Sequence, residues 1–192
     1  RYLGFVSDIH DSRIAREEAE VSRRRAEALL KLPGAVETMS EPEFMAFGQE
    51  IAEDLTGSEI AFIHFVNPDE ERIELVAWSR RTLERYCTAS YDRHYPVSQA
   101  GIWADALRQR APVVINDYAS HPGKKGLPEG HSKLVRLVSV PVMENDRVVM
   151  LAGVGNKSTD YSRQDVETVR LIANEIWHLV QRRRGITVLR AG

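Results

Sequence analysis

The sequence predicts an α+β fold: a central antiparallel β-sheet with helices packed on one face, flanked by long helices at the N- and C-terminal ends. Two hairpin patterns support the sheet, because each pairs two apolar segments across a short polar turn; the paired segments are 58–66 with 72–78 and 133–143 with 147–155. Two amphipathic helical patterns, beginning near residues 40 and 162, need a sheet face on which to bury their apolar stripes.

The first forty residues predict a strand followed by a helix. Residues 1–9 favour extended structure because apolar and aromatic side chains dominate them; these are Tyr2, Leu3, Phe5, Val6 and Ile9. Residues from about 13 to 32 are rich in Ala, Glu, Arg and Leu, which favour a helix, and Pro33-Gly34 is expected to end it.

Two capping boxes, in which a serine and an acidic residue three positions later satisfy free amides, mark the helix starts. Ser40 with Glu43 opens the first helix and Ser162 with Asp165 opens the last. The apolar positions of both helices recur at helical spacing and are expected to pack together on one sheet face; they are Phe44, Ile51 and Leu55 with Val169, Ala173 and Ile176.

Between these helices, the first hairpin is expected to carry Ile73, Leu75 and Ala77 on one face. A short helix with Ile102 and Trp103, a short strand at 112–115 and a long polar loop at 116–132 follow it. Loops of this length without secondary structure are usually functional or disordered.

Composition narrows the function classes. The chain has 192 residues, a formal net charge of −2 and one cysteine, Cys87. A near-neutral charge gives no overall attraction to nucleic acid, and no apolar run reaches the ~18 residues that span a bilayer. We therefore expect a cytoplasmic protein without nucleic acid or direct membrane contact, and the absent initiator methionine suggests a fragment of a longer protein.

Residues 40–184 resemble a GAF domain. The motifs that carry the resemblance lie along the whole segment: Trp78-Ser79, His94-Tyr95-Pro96, Gly101-Ile102-Trp103-Ala104, Asn116-Asp117-Tyr118, Ser139-Val140-Pro141-Val142 and Gly155-Asn156-Lys157. Residues 1–12 resemble the C-terminal end of a PAS domain, with 13–39 as a helical linker, and 185–192 are unassigned. The resemblance implies a sensory domain of a histidine kinase or diguanylate cyclase type of protein, without a catalytic domain in this fragment.

For a ligand of unknown identity, the predicted binding residues combine aromatic walls with polar groups: Trp78, Tyr95, Trp103, Asn116, Asp117, Tyr118, His131 and Arg136. His131 and Arg136 would favour an anionic or carbonyl-rich ligand. The aromatic residues could equally be core, and Asn116 and Asp117 could cap the loop instead. Whether the domain holds a cofactor is unknown from the sequence.

Three alternatives concern particular residues. Cys87, His94 and His131 could hold zinc, although their spacing fits no compact motif, and Cys87 is otherwise a structural thiol. His64 is expected to be a core or sheet-face residue. Lys157 and Asp165 could form a structural clasp or, as in cyclic-nucleotide GAF domains, contribute to nucleotide binding.

Two functional hypotheses remain open: a ligand-binding sensory domain that signals through dimeric helices, or a structural dimerisation module without a ligand. For either, we expect a parallel homodimer through the terminal helices. The residues expected at its interface are Ile14, Val21, Ala28, Ile172, Ile176 and Leu179.

Overall fold

A computed structural model describes residues 2–85, 94–124 and 133–191, with side chains for 11–75, 77–82, 84, 97–124 and 133–185. The helices are α1 (Tyr2–Thr38), α2 (Glu41–Thr56), α3 (Arg80–Arg85), α4 (Asp105–Gln109) and α5 (Arg163–Ala191), with two 3-10 turns at Val97–Gln99 and Ile102–Ala104. The strands are β1 (Ile60–Val66), β2 (Arg72–Trp78), β3 (His94–Pro96), β4 (Val113–Ile115), β5 (Leu137–Glu144) and β6 (Arg147–Gly155).

The six strands form one sheet in the order β3-β2-β1-β6-β5-β4, and every neighbouring pair is antiparallel. Both predicted hairpins, β1–β2 and β5–β6, are present. The predicted α+β fold class is confirmed, because α1, α2 and α5 pack on one face of this sheet.

The main core lies between the sheet and the three long helices. Phe44 of α2 and Ile176 of α5 are buried there with Val169 and Ala173, as predicted, and Ile51 and Leu55 pack at the edge. At both predicted capping boxes, the acidic side chain accepts a hydrogen bond from the amide of its serine: Glu43 from Ser40 at 2.9 Å and Asp165 from Ser162 at 2.8 Å.

Helix α1 differs from its prediction at both ends. Residues 2–9 lie in the helix, so the expected strand is wrong there, and the helix runs through Pro33 to Thr38. Pro33 is exposed, but its helix neighbours Leu32 and Val36 are buried against α2 and α5. An interior proline costs about 3 kcal/mol, which the burial of two large aliphatic side chains at about 1.5–3 kcal/mol each offsets.

The C-terminal half of α1 therefore contributes to the core of this domain. The division into a linker at 13–39 and a domain at 40–184 stays a prediction. That residues 1–12 end a PAS-like domain stays a prediction. Among the described residues, no helix is both long enough and apolar enough to cross a membrane.

Helices α1 and α5 run parallel. Near the C-terminal end of both, Arg183 of α5 donates hydrogen bonds to the carbonyls of Val36 and Met39. Near the N-terminal end of α5, the positive charge of Arg25, which lies beyond the middle of α1, acts on Glu167 in the second turn of α5. The chain therefore approaches the domain along α1 and leaves it along α5 in the same direction.

A β-bulge interrupts the first hairpin. Ile63 of β1 pairs with Ala77 of β2, but the next residue, His64, pairs with Leu75, which leaves Val76 as an extra residue. An extra residue shifts the alternation of side chains by one position on the strand that carries it.

The bulge puts Ile73 and Ala77 on opposite faces of the sheet. Ala77 packs against the helix-side core, whereas Ile73 is buried in a cluster on the other side. The expectation that Ile73, Leu75 and Ala77 share one face is therefore wrong, because simple alternation does not account for an extra residue. The same shift places Trp78 directly opposite Phe62, and cross-strand partners point to the same face.

Candidate functional site

The second face of the sheet, which we call the loop face, is covered by the 3-10 turns, α4 and the segment that follows β4. Its buried residues form two clusters: Ile73, Ala100, Ala104, Ala106, Leu107, Val148 and Leu151 in one, and Ile60, Ile102, Ile115, Tyr118, Leu134 and Leu137 in the other. Trp103 packs against both clusters, so it lies at the centre of this face.

Aromatic rings form a wall on the loop face. The indole of Trp103 stacks on the imidazole of His64, with ring centroids 4.3 Å apart and planes 19° from parallel. The ring of Phe62 meets both edge-on, 5.9 Å from Trp103 and 5.4 Å from His64. Each such aromatic pair contributes about 0.5–1.5 kcal/mol to stability, in addition to the stabilisation from the apolar area it buries. Trp78 extends this wall along the next strand.

Gly153 of β6 makes room for this wall. A Cβ atom at Gly153 would lie 2.2 Å from Phe62 Cζ and 2.5 Å from the carbonyl oxygen of Val138. Only a residue without a side chain lets the Phe62 ring lie over β6 at this distance.

His64 is buried, and this burial lowers its pKa to about 3. The imidazole is therefore neutral at physiological pH, with one ring nitrogen protonated and the other an acceptor or metal ligand. The prediction that His64 is a sheet-face residue is confirmed.

Ser139 of β5 is fully buried on the same face (0% exposed). Its neighbours Val138 and Val140 belong to the helix-side core, so alternation turns Ser139 towards the loop face, where it pairs in register with Gly153. Its Oγ has no hydrogen-bond partner among the described residues. Ser139 was not among the predicted binding residues, because a serine within an apolar strand does not reveal whether its hydroxyl is bonded.

Three of the predicted binding residues, Asn116, Asp117 and Tyr118, make contacts within the chain. The side-chain amide of Asn116 accepts a hydrogen bond from Tyr161 N (2.7 Å) and donates one to Tyr161 O (3.3 Å). Asp117 is exposed and accepts a hydrogen bond from Ser120 N (3.2 Å). The alternative interpretation, in which these residues cap the loop, is therefore supported for Asp117 alone, because Asn116 bonds to Tyr161, which lies outside the loop. Tyr118 is buried in the loop-face core, and this burial raises its pKa.

Arg136 forms an ion pair with a neighbouring carboxylate. Its Nε lies 3.0 Å from Asp160 Oδ1, and it also donates to the carbonyl of Lys157 at 3.4 Å. Asp160 therefore supplies the counter-charge of Arg136. This pairing weakens the argument for an anionic ligand, since the guanidinium already has its counter-charge.

The remaining predicted residues lie wholly or partly outside the described part of the chain. Tyr95 is in β3, opposite Ile73, but its side chain is not among those described. His131 and Cys87 lie outside the described residues, so the zinc alternative stays a prediction. Among the described residues, no group of three His, Cys, Asp or Glu side chains could hold a metal ion.

Lys157 and Asp165 form the expected clasp between β6 and α5, with Nζ and Oδ2 2.7 Å apart. Beside it, the Tyr161 hydroxyl is within hydrogen-bond distance of Ser58 Oγ (2.8 Å) and accepts a bond from Lys157 N (3.2 Å). Burial raises the pKa of Tyr161 to about 12. These contacts hold the start of α5 against the sheet.

Comparison with known proteins identifies this arrangement of sheet, helices and loop face. The profile of the GAF domain family matches residues 38–181, three quarters of the chain. The chain belongs to the GAF domain family. A sensor associated with methyl sulfide methyltransferase from Methanosarcina acetivorans is 37% identical over 180 residues, which cover 91% of this chain and 18% of that protein. The chain thus spans less than a fifth of its curated relative.

Solved GAF domains share the fold at low sequence identity. The GAF domain of a phosphoenolpyruvate-protein phosphotransferase from Coxiella burnetii superposes with a TM-score of 0.67 at 10% identity, over 86% of this chain and 98% of that chain. A free methionine-R-sulfoxide reductase from Neisseria meningitidis, solved with its substrate, gives 0.58 at 15% identity, over 83% of this chain and 87% of that chain. At such identities, the comparison establishes the fold alone.

Proposed function

We propose that this GAF domain is the regulatory, ligand-binding module of a larger sensor protein and that its ligand binds on the loop face. The observation that carries the proposal is the buried Ser139 hydroxyl, which has no hydrogen-bond partner among the described residues. Buried polar groups in native proteins nearly always have a partner. An unused buried hydroxyl beside an aromatic wall therefore supports a partner that comes from outside the chain.

The aromatic wall supports the same location. Phe62, His64, Trp78 and Trp103 offer flat apolar surfaces, and small-molecule sites combine such surfaces with a few fixed polar groups. Trp103 lies on a 3-10 turn of only three residues between two other short elements. A ligand that displaced this turn would change the packing of both loop-face clusters.

We propose that the effect of ligand binding is transmitted along the parallel helices α1 and α5. Ligand contacts that differ between two arrangements of the loop face would shift their populations. Helix α5 packs against both β5 and β6 and is fastened to the start of α2 by an Arg184–Glu41 ion pair. A change in the sheet can therefore reach the output end of α5. We propose a histidine kinase or diguanylate cyclase type of parent protein.

The proposed homodimer cannot use all of the residues expected from the sequence. Ile172, Ile176 and Leu179 are buried inside this chain, as is Ala28. They therefore cannot pack against a second copy without unfolding the first. The N-terminal half of α1 is the better candidate, because residues 11–20 are all exposed and Ile14 retains 39% of its accessible surface.

The ligand hypothesis is best tested with two buried serines that differ in their hydrogen bonds. Ser139 and Ser58 are both buried, but Ser58 Oγ is bonded to Thr56 and Tyr161 while Ser139 Oγ is not bonded. Protein purified from cells is examined by native mass spectrometry, which reports both the dimer and any retained small molecule. Ser139→Ala should reduce ligand retention, with about fivefold weaker affinity for the loss of one hydrogen bond worth about 1 kcal/mol.

Without ligand, the order of the two effects should be reversed: Ser58→Ala, and not Ser139→Ala, should change the stability of the fold. Ser58→Ala should lower the free energy of unfolding by about 1–3 kcal/mol because it leaves partners unsatisfied, whereas Ser139→Ala should leave it unchanged or slightly higher. Equal ligand retention by wild type and Ser139→Ala would place the site elsewhere. A dimer mass with no small molecule on any of the three proteins would favour the structural dimerisation module instead.

A further inference from the structure

A buried carboxyl group lies where α2, the end of β2 and the start of α3 meet. The side chain of Glu53 is fully buried (0% exposed), and its Oε1 is hydrogen-bonded to Ser79 Oγ. Its other oxygen, Oε2, is buried and has no hydrogen-bond partner among the described residues. An ionised carboxylate can accept about four hydrogen bonds, so this environment suits the neutral acid better than the anion.

Through Ser79, Glu53 is connected to two strands and to α3. Ser79 directly follows β2, and its Oγ lies 2.8 Å from Thr82 Oγ1 and accepts a hydrogen bond from Thr82 N at 3.1 Å. Thr82 Oγ1 in turn accepts a hydrogen bond from the amide of Ala61 in β1 at 3.2 Å. This hydrogen-bonded chain fixes the first turn of α3 to the sheet and, through Glu53, to α2.

The charged groups that act on Glu53 come from α2 and α3. Arg81 Nε lies 3.3 Å from Glu53 Oε2, but Arg81 is 37% exposed and also pairs with Asp54. Glu50, one turn away, pairs with Arg80 at 3.4 Å. Burial raises the pKa of Glu53 to about 7, and this effect outweighs the hydrogen bond from Ser79 and the charge of Arg81, which lower it.

We propose that Glu53 is a proton-operated latch. With its proton bound, it holds α3 and the end of β2 against α2, and its ionisation favours an open state in which α3 has lifted and the carboxylate reaches water. Trp78 precedes Ser79 and belongs to the aromatic wall, so opening would also change the loop face. Only this last consequence depends on the function proposed above.

The direction of the pH effect follows from proton linkage. The closed state binds the Glu53 proton more tightly than the open state, where the carboxyl returns to its ordinary pKa of 4.5. The opening equilibrium should therefore increase by up to tenfold per pH unit from about 4.5 to about 7 and remain constant above that. Closure is therefore strongest at the acid end of this range and weakest at the alkaline end.

Amide hydrogen exchange of peptides covering residues 79–85 tests the latch between pH 5 and pH 8, after correction for the intrinsic exchange rate. In the wild type, protection should fall as pH rises and level off near pH 7. Glu53→Gln, which mimics the neutral acid, should keep protection independent of pH. Glu50→Gln, a change in the same helix that leaves the buried carboxyl in place, should retain the wild-type dependence.

The same pH dependence in wild type and Glu53→Gln would overturn the proposal. If Glu53→Gln does not fold, a pH titration of the Glu53 carboxyl carbon in the wild type, followed by carbon-13 NMR, provides an independent test. A titration midpoint near 7 supports the latch, and a midpoint near 4.5 overturns it. No ligand is needed for either experiment, so failure of the latch is distinguishable from failure of the ligand hypothesis.

Discussion

The crossing of α2 and α5 predicts that one substitution will have opposite effects in two backgrounds. A Cβ atom at Gly48 of α2 would lie 2.3 Å from Ile176 Cδ1 and 2.8 Å from Ile176 Cγ1. The small cavity beside them, about 10 Å³, is at the lower limit for a single water, so Ile176 has little room to move aside. Gly48→Ala is therefore expected to overpack this contact.

The expected effect of Gly48→Ala on the free energy of unfolding differs between the wild type and Ile176→Ala. Gly48→Ala gains about 1 kcal/mol of helix propensity and loses about 1–3 kcal/mol to overpacking, so the wild type should be destabilised by about 1 kcal/mol. Ile176→Ala alone should cost about 2–5 kcal/mol. With Ile176 truncated, the clash disappears, and Gly48→Ala should stabilise by about 1–2 kcal/mol through helix propensity and one buried methyl group.

Urea unfolding of the four proteins, followed by circular dichroism at a helical wavelength, measures this cycle. The expected coupling between the two sites is about 2–3 kcal/mol, which is within the range for residues in direct contact. Gly34→Ala provides the control, because a Cβ there would meet nothing within 4 Å and should stabilise either background by about 0.5–1 kcal/mol. If Gly48→Ala changes stability equally with and without Ile176, the helices do not meet as described.

Substitutions at two further positions, Gly153 and Asn116, test the packing of the loop face and the end of β4, with Asp117→Ala as the control for Asn116. Gly153→Ala should lower the free energy of unfolding by about 1–3 kcal/mol and alter the fluorescence of Trp103, since its methyl group would displace the ring of Phe62; unchanged fluorescence and stability would contradict the described packing. Asn116→Ala should lower the free energy of unfolding by about 1–3 kcal/mol, because it leaves the part-buried amide and carbonyl of Tyr161 without their side-chain partner. Exposed Asp117→Ala should cost no more than about 1 kcal/mol in the same urea unfolding experiment. Equal losses would contradict the described hydrogen bonds between Asn116 and Tyr161.

The features that the sequence predicted are those set by local patterns. Alternating apolar residues and short turns are enough to indicate the β1–β2 and β5–β6 hairpins, and the capping boxes at Ser40 and Ser162 locate two helix starts to within a residue. The stripe containing Ile176 correctly identified the face of α5 that packs on the sheet. Each of these signals is contained within about twenty residues of chain.

The errors arise where a distant partner decides the structure. Pro33 signals a helix end locally, but burial of Leu32 against other helices carries α1 past it. Asn116 and Arg136 have the side chains of a binding site, yet their partners are Tyr161 and Asp160, which are 45 and 24 residues away in sequence. No local pattern contains that information.

Conversely, Ser139 carried no signal at all. Its significance depends on a hydroxyl that lacks a partner in three dimensions, which a strand pattern rich in valine does not show. Phe62 and Gly153 similarly became recognisable as a pair only through the register of β1 with β6.

The parallel course of α1 and α5 has a consequence for how this domain fits into a longer chain. Because both helices point the same way, a chain that enters along α1 and leaves along α5 keeps its direction through the domain. Each residue inserted into the exposed part of α1 would turn whatever precedes it by about 100° and move it about 1.5 Å along the axis. Insertions of seven residues would nearly restore the original rotational phase, whereas insertions of two would turn any segment that precedes it to almost the opposite side.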